Sequence, residues 1–155
     1  MNFSTNKYTL TSPHPIPEIA EKLYSNTLIR RTLMREKTEK QFIGEVSEDD
    51  FYLIGSSRGG VVCTLNGEFK TEGPNTVIKL ETKLHRAFVI LFSCWAALII
   101  ATPIISYMVN PRASGFSIGQ LPILLLAVVA ARALLHFVYT RARNRSVNQM
   151  EELIA

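Results

Sequence analysis

The chain has 155 residues, the length of one ordinary domain, and 17 Lys and Arg against 13 Asp and Glu give it a net charge of +4. Twelve of the basic and eleven of the acidic residues precede Ala87, and no Asp or Glu occurs between Glu81 and Glu151. The surplus positive charge thus surrounds apolar sequence instead of clustering on a soluble face, which argues against nucleic-acid binding. The two cysteines, Cys63 and Cys94, fall in a predicted strand and a predicted membrane helix and imply no disulfide framework.

Met1–Thr11 is polar, carries no apolar core segment of a secretory signal, and reads as loosely ordered. Ser12–Pro17 (SPHPIP) is a proline-rich entry to a helix over Glu18–Asn26, with Ile16, Ile19, Ala20 and Leu23 at helical spacing. Pro17 in the first turn, with Glu18 and Glu21 near the positive end, suits a helix start. Leu28–Lys37 either begins a strand or continues the helix.

From Lys40 the period becomes two. Phe42, Gly44 and Val46 share a face, Ser47–Asp50 turns the chain, and Phe51–Ile54 is a second strand. Gly55–Gly60 (GSSRGG) is a loop, Val61–Phe69 a third strand, and Thr71–Asn75 another turn. Thr76–Leu84 then alternates cleanly, Ile78, Leu80 and Leu84 against Lys79, Glu81 and Lys83. Four strands joined by short turns predict an antiparallel meander with one solvated face. The expected fold is therefore α+β: an N-terminal helix and a four-stranded sheet over residues 1–85.

Ala87–Val109 is 23 residues without a charge, about 34 Å of helix at 1.5 Å per residue, enough to cross a hydrocarbon core. Pro103 inside it is tolerated in a membrane helix. Phe116–Tyr139 is a second span, and Asn110–Gly115 (NPRASG) is too short to be more than a turn. The two form a transmembrane hairpin over residues 86–140, followed by a basic tail, 141–155. Arg132 interrupts the second span. A charge there is a functional candidate by default. It stands only nine residues before Arg141, however, so snorkelling to the headgroups is the reading preferred. His136 and Tyr139 then lie at the interface.

Lys79, Lys83 and Arg86 precede the first span and Arg141, Arg143 and Arg145 follow the second, against Arg112 alone between them. By the positive-inside rule both termini are cytoplasmic. Lys83, His85 and Arg86 are expected at the membrane interface with the lipid bilayer as partner. Ser93, Ala97 and Ala101 recur every four residues, as do Ala127 and Ala131, and such faces pack helices within a hairpin or between copies in a homo-oligomer.

The pattern F-x-G-x-V-x(4)-F at Phe42–Phe51, the Gly67-x-Phe69 pair and T-x-I-x-L-x-x-K-L-H at Thr76–His85, leading into an apolar span, resemble a group of small uncharacterised bacterial two-span membrane proteins with an N-terminal β-rich cytosolic domain. The resemblance covers Gln41–Trp95 and departs from the group at Gly59–Cys63. It implies a bacterial inner membrane and supplies no activity.

Chemistry is sparse. His14, His85 and His136 stand alone, neither cysteine has a ligand partner nearby in sequence, and neither a nucleophile elbow nor a P-loop occurs. Ser56, Ser57 and Arg58 in GSSRGG offer a weak phosphate cradle, though hairpin loops use the same residues. The Glu48–Asp50 turn reads as solvated and Cys63 as a buried strand residue. No cofactor, metal or catalytic residue is expected. The favoured reading is a membrane-anchored cytosolic binding or sensing module without enzymatic activity, homo-oligomeric, with an unknown cytosolic protein or small ligand as partner. Its rivals are a membrane effector whose hairpins assemble to permeabilise the bilayer, and an enzyme.

Overall fold

The alternation that begins at Phe42 folds as a meander, and the computed structural model places a further strand on each side of it. Residues 5–31, 37–57, 59–109 and 118–155 are described. In chain order they form β1 (Asn6–Ser12), α1 (Ile16–Asn26), β2 (Thr27–Ile29), β3 (Phe42–Val46), β4 (Asp50–Gly55), β5 (Cys63–Glu72), β6 (Asn75–Leu84), α2 (Arg86–Val109) and α3 (Leu121–Ile154). Short 3-10 turns occupy Gly60–Val62 and Ile118–Gln120.

The sheet has six strands in the order β1-β6-β5-β4-β3-β2, not the expected four. It is also mixed, because β2 runs parallel to β3 while every other pair is antiparallel. Asn6–Ser12, expected to be loose, pairs along its whole length with Thr76–Thr82. Its Thr and Tyr residues suit a pleated surface better than their polarity suggests. The helix is consequently the second element. It starts at Ile16, where the Pro15 carbonyl accepts from the N–H groups of Glu18 and Ile19. Ile19 and Leu23 are buried against the sheet, and at Thr27 the chain passes directly into β2.

Cross-strand register sorts the side chains into two faces. Leu80 of β6 lies beside Gly67 and Gly67 beside Phe51; two residues along, Thr82, Leu65 and Leu53 align in the same way. These belong to the core face, where Leu53, Leu65, Ile78, Leu80 and Thr82 are almost wholly buried. Gly67 is dictated by packing: a Cβ there would stand 2.0 Å from the Phe51 ring. Phe51 in turn meets Phe69 at 5.4 Å between ring centroids. Between β5 and β6 the turn is Gly73–Pro74. Gly73 takes φ +66, and the fixed φ of proline leaves type II′ as the primed turn open to this pair. On the opposite face Ile43 and Ile54 form a small separate core with Leu28 and Val61.

The chain divides into two compact units, and the division is not the sequential one expected. One comprises Met1–His85 together with Val138–Ala155, the other Arg86–Phe137. Residues 141–155, expected as a separate basic tail, continue α3 without a break. Tyr139, Ala142, Ser146, Val147, Met150 and Ile154 are buried there, at the three- and four-residue spacing of one helix face. Ser146 lies against the core-face end of β4, its Oγ 3.0 Å from where a Gly55 Cβ would stand. The helix that leaves the second apolar segment thus supplies part of the core of the sheet that precedes the first.

In the other unit, α2 begins within one residue of the expected span and contains Pro103. Both α2 and the apolar stretch of α3 are long and apolar enough to cross a membrane, and their most apolar windows are unburied in the chain. The joining segment Asn110–Gly115, with Arg112, and the expected start at Phe116 lie outside the described residues.

Candidate functional site

Away from the small Ile43–Ile54 core, the face of the sheet opposite the two packing helices is polar, and register fixes its map. One row runs Lys7, Glu81, Asn66, Tyr52, Glu45 across β1, β6, β5, β4 and β3; the next runs Thr9, Lys79, Glu68, Asp50. These side chains line a concavity of about 710 Å³ on this unit. Charge is graded across it, with Lys7 and Lys79 on β1 and β6 and Asp50 and Glu45 on β4 and β3. Glu68 stands directly opposite Asp50, an arrangement that destabilises a sheet, and the Lys70 ammonium 3.6 Å from the Glu68 carboxylate offsets part of it. Tyr52 in the middle is 43% exposed. Beside it the Asn66 Oδ1 is buried without a hydrogen-bond partner among the described residues. Such a surface offers hydrogen-bonding groups and charge of both signs around the Tyr52 ring. Among the described residues no three His, Cys, Asp or Glu gather as a metal-binding group.

The core face is closed by a cluster that no periodicity argument located. Tyr139 is fully buried, and its hydroxyl meets the Asn6 Nδ2 at 3.3 Å and the Thr82 Oγ1 at 3.1 Å. The Arg143 guanidinium lies 5.9 Å from the Tyr139 ring centroid and 6.0 Å from that of Tyr8, and its Nη2 donates to the Asn144 side chain at 2.8 Å. At the far end of β1 the Ser12 hydroxyl donates to the Ile154 carbonyl at 2.6 Å. Both ends of β1 are therefore tied to α3. Cys63, fully buried on this face, has its thiol pushed up to about 12 by burial, with Arg143 acting weakly in the opposite sense. A thiol held neutral in this way is a core residue and a poor nucleophile.

The residues singled out from sequence divide accordingly. The Ser56 hydroxyl is used within the fold, donating to the Lys40 and Gln41 carbonyls, while the Ser57 carbonyl accepts from the Gly60 N–H. Arg58 lies outside the described residues. Tyr139, expected at the membrane interface, is buried in the core of the sheet-bearing unit, and Arg143 packs on aromatic rings. Arg141 and Arg145 are exposed on the same helix. Lys83 is exposed, 2.6 Å from Glu81, and Arg86 is the exposed first residue of α2. His85 is the single residue between β6 and α2, its N–H donating to the Val62 carbonyl at 2.9 Å. Arg132 is partly covered within α3. In the small-residue faces Ser93, Ala97 and Ala127 are exposed, whereas Ala101 and Ala131 are partly buried. Comparison of the chain with protein-family models, with curated proteins and with solved structures finds no match.

Proposed function

We propose that the chain is a two-span integral membrane protein of a bacterial inner membrane, with a cytoplasmic α+β unit that acts as a non-enzymatic binding or sensing module and assembles as a homo-oligomer. This keeps the resemblance to small two-span bacterial membrane proteins as part of the proposal. One observation carries the reading. Strands that precede the first apolar helix and a helix face that follows the second share one core, joined by Asn6–Tyr139, Thr82–Tyr139 and Ser12–Ile154 hydrogen bonds. Segments in a common core lie on the same side of a bilayer, which requires an even number of crossings between them. Exposed Ile90, Leu91, Leu98, Leu126 and Phe137 on the two apolar helices supply the lipid-facing surface. The basic residues flanking the pair, against Arg112 between the spans, assign the shared unit to the cytoplasm.

The binding surface in this reading is the concave polar face around Tyr52 and Asn66, whose mixed charge disfavours nucleic acid and suits a cytosolic protein or a polar small ligand. A reporter active only outside the cytoplasm tests the topology: it is silent when fused after Ala155 and active when inserted at Ala113. The reverse pattern overturns the orientation. A photoreactive amino acid at position 52, irradiated in growing cells, forms an adduct that the same residue at position 24 on α1 does not. Equal adducts at both positions overturn the assignment of the face.

A further inference from the structure

We propose that the concave polar face binds a short peptide of three or four residues by its two charged ends, the free carboxylate between Lys7 and Lys79 and the free amino group at Asp50. This deepens the binding face of the reading above and rests on it. Among the described residues six charged side chains line the concavity: Lys7, Glu45, Asp50, Glu68, Lys79 and Glu81. Three of the carboxylates already have a basic partner, Glu45 in Arg31 at 3.8 Å, Glu68 in Lys70 at 3.6 Å and Glu81 in Lys83 at 2.6 Å. Lys7, Lys79 and Asp50 are exposed and make no ion pair among the described residues. Two cations on one side and one anion on the other are what the fold leaves unused.

Register places the three. Lys7 stands opposite Glu81 and Lys79 opposite Thr9, so the two lysines are diagonal neighbours on β1 and β6, about 7–8 Å apart. Two ammonium groups at that spacing bracket a single carboxylate. Asp50 lies in the row of Lys79, two strands on, beyond Glu68. From the lysine pair to Asp50 is two to three strand spacings, about 10–14 Å. An extended peptide gains about 3.3–3.6 Å per residue, so three or four residues bring one terminus to each end. A free amino acid is too short. Asn66 and Tyr52 lie along the path. The buried Asn66 Oδ1, which lacks a donor among the described residues, accepts an N–H from the middle of the peptide, beside the exposed Tyr52 ring. A terminal ammonium at Asp50 also offsets the repulsion between Asp50 and the Glu68 opposite it. The concavity of about 710 Å³ is of the size that holds such a ligand.

Equilibrium dialysis of the full-length protein in non-ionic detergent against radiolabelled tetra-alanine tests this. Tetra-alanine binds, and dialanine binds about three- to tenfold more weakly. Capping either end, as the N-acetyl or the C-terminal amide form, weakens binding about as much, the size expected for exposed charge pairs. Lys7→Gln with Lys79→Gln lowers affinity for the free carboxylate form and leaves that for the amide unchanged. Asp50→Asn does the same for the free amino form against the N-acetyl form. Binding that ignores both sets of substitutions overturns the site. No binding of tetra-alanine, with a selective adduct to a protein from the photoreactive residue at position 52, overturns the peptide ligand and leaves the face standing as a binding surface. No binding and no selective adduct overturn the two together.

Discussion

Replacing Met150 by alanine tests whether the helix over residues 138–154 is part of the fold of the sheet or an appendage of it. Met150 is 0% exposed, on the α3 face that also buries Tyr139, Val147 and Ile154. Deleting a buried methionine side chain to Cβ costs about 2–5 kcal/mol, the loss of transfer free energy plus the cavity left behind. A unit of about 100 residues is stable by only about 5–15 kcal/mol in all. At roughly 5 °C per kcal/mol the midpoint falls by about 10–25 °C. The only tryptophan, Trp95, lies in α2, so its fluorescence does not report on this unit. Protease resistance of the purified protein in detergent, followed against temperature as survival of the fragment ending near Leu84, reads the sheet directly. Glu151→Ala, next in sequence but exposed, changes stability by less than about 0.5 kcal/mol and serves as the control. If Met150→Ala leaves the fragment as resistant as Glu151→Ala does, the helix does not stabilise the sheet and the discontinuous unit is wrong.

Gly67→Ala forces a Cβ into the Phe51 ring and lowers stability by about 1–3 kcal/mol, seen as an earlier midpoint in the same proteolysis assay, whereas Gly73→Asn in the exposed turn costs less. The Cys63 thiol, raised from 9.0 to about 12 in the fold, stays protonated while its unfolded counterpart ionises, so stability is unaffected below about pH 9 and declines as pH rises from 9 toward 12. In urea titrations Cys63→Ala flattens that alkaline decline, and in the native protein at pH 8 a thiol reagent reaches Cys63 only after denaturant is added. Arg132→Lys preserves membrane insertion and yield, and Arg132→Leu alters yield or orientation in the reporter assay; a Leu variant that inserts normally but abolishes every cellular effect of the protein overturns the snorkelling reading.

What the sequence made legible was whatever depended on strict periodicity. Thr76–Leu84 alternates Ile78 and Leu80 with Lys79 and Glu81, and burial in β6 follows that pattern. The charge-free run after Arg86 located α2 to within a residue. The edge strands were harder to see for a physical reason. On β1 one face is solvated and the other only half-covered, so Asn, Thr and Ser serve at positions that a central strand would give to Val or Ile. The three residues of β2 are too few to show any period. Arginines conceal the carboxy-terminal helix: Arg141, Arg143 and Arg145 read as a topology signal, although Tyr139, Ala142, Ser146, Met150 and Ile154 mark a buried stripe beneath them. Asn66, central to the candidate face, is one polar residue among several on an alternating strand, and only the cross-strand register puts it beside Tyr52.

A unit whose chain is interrupted by the apolar hairpin has consequences for how the protein is made. The six strands are synthesised first, but Tyr139, Val147, Met150 and Ile154 follow only after both apolar helices. Until then Gly55 lacks the Ser146 side chain that lies against it, and the Asn6 and Thr82 partners of the Tyr139 hydroxyl wait on water. On the two-span reading, a chain with one helix left uninserted holds residues 138–155 on the far side of the bilayer and never completes that core. On that reading, closure of the sheet-bearing unit requires both flanks of the hairpin on one side of the bilayer. Continuity of the chain strengthens the link. His85 alone separates β6 from α2, its N–H fixed to the Val62 carbonyl, and α3 passes unbroken from its apolar stretch into the buried stripe. The strand that precedes the first apolar helix and the helix that follows the second apolar stretch meet at the Thr82–Tyr139 hydrogen bond, inside the unit that both complete.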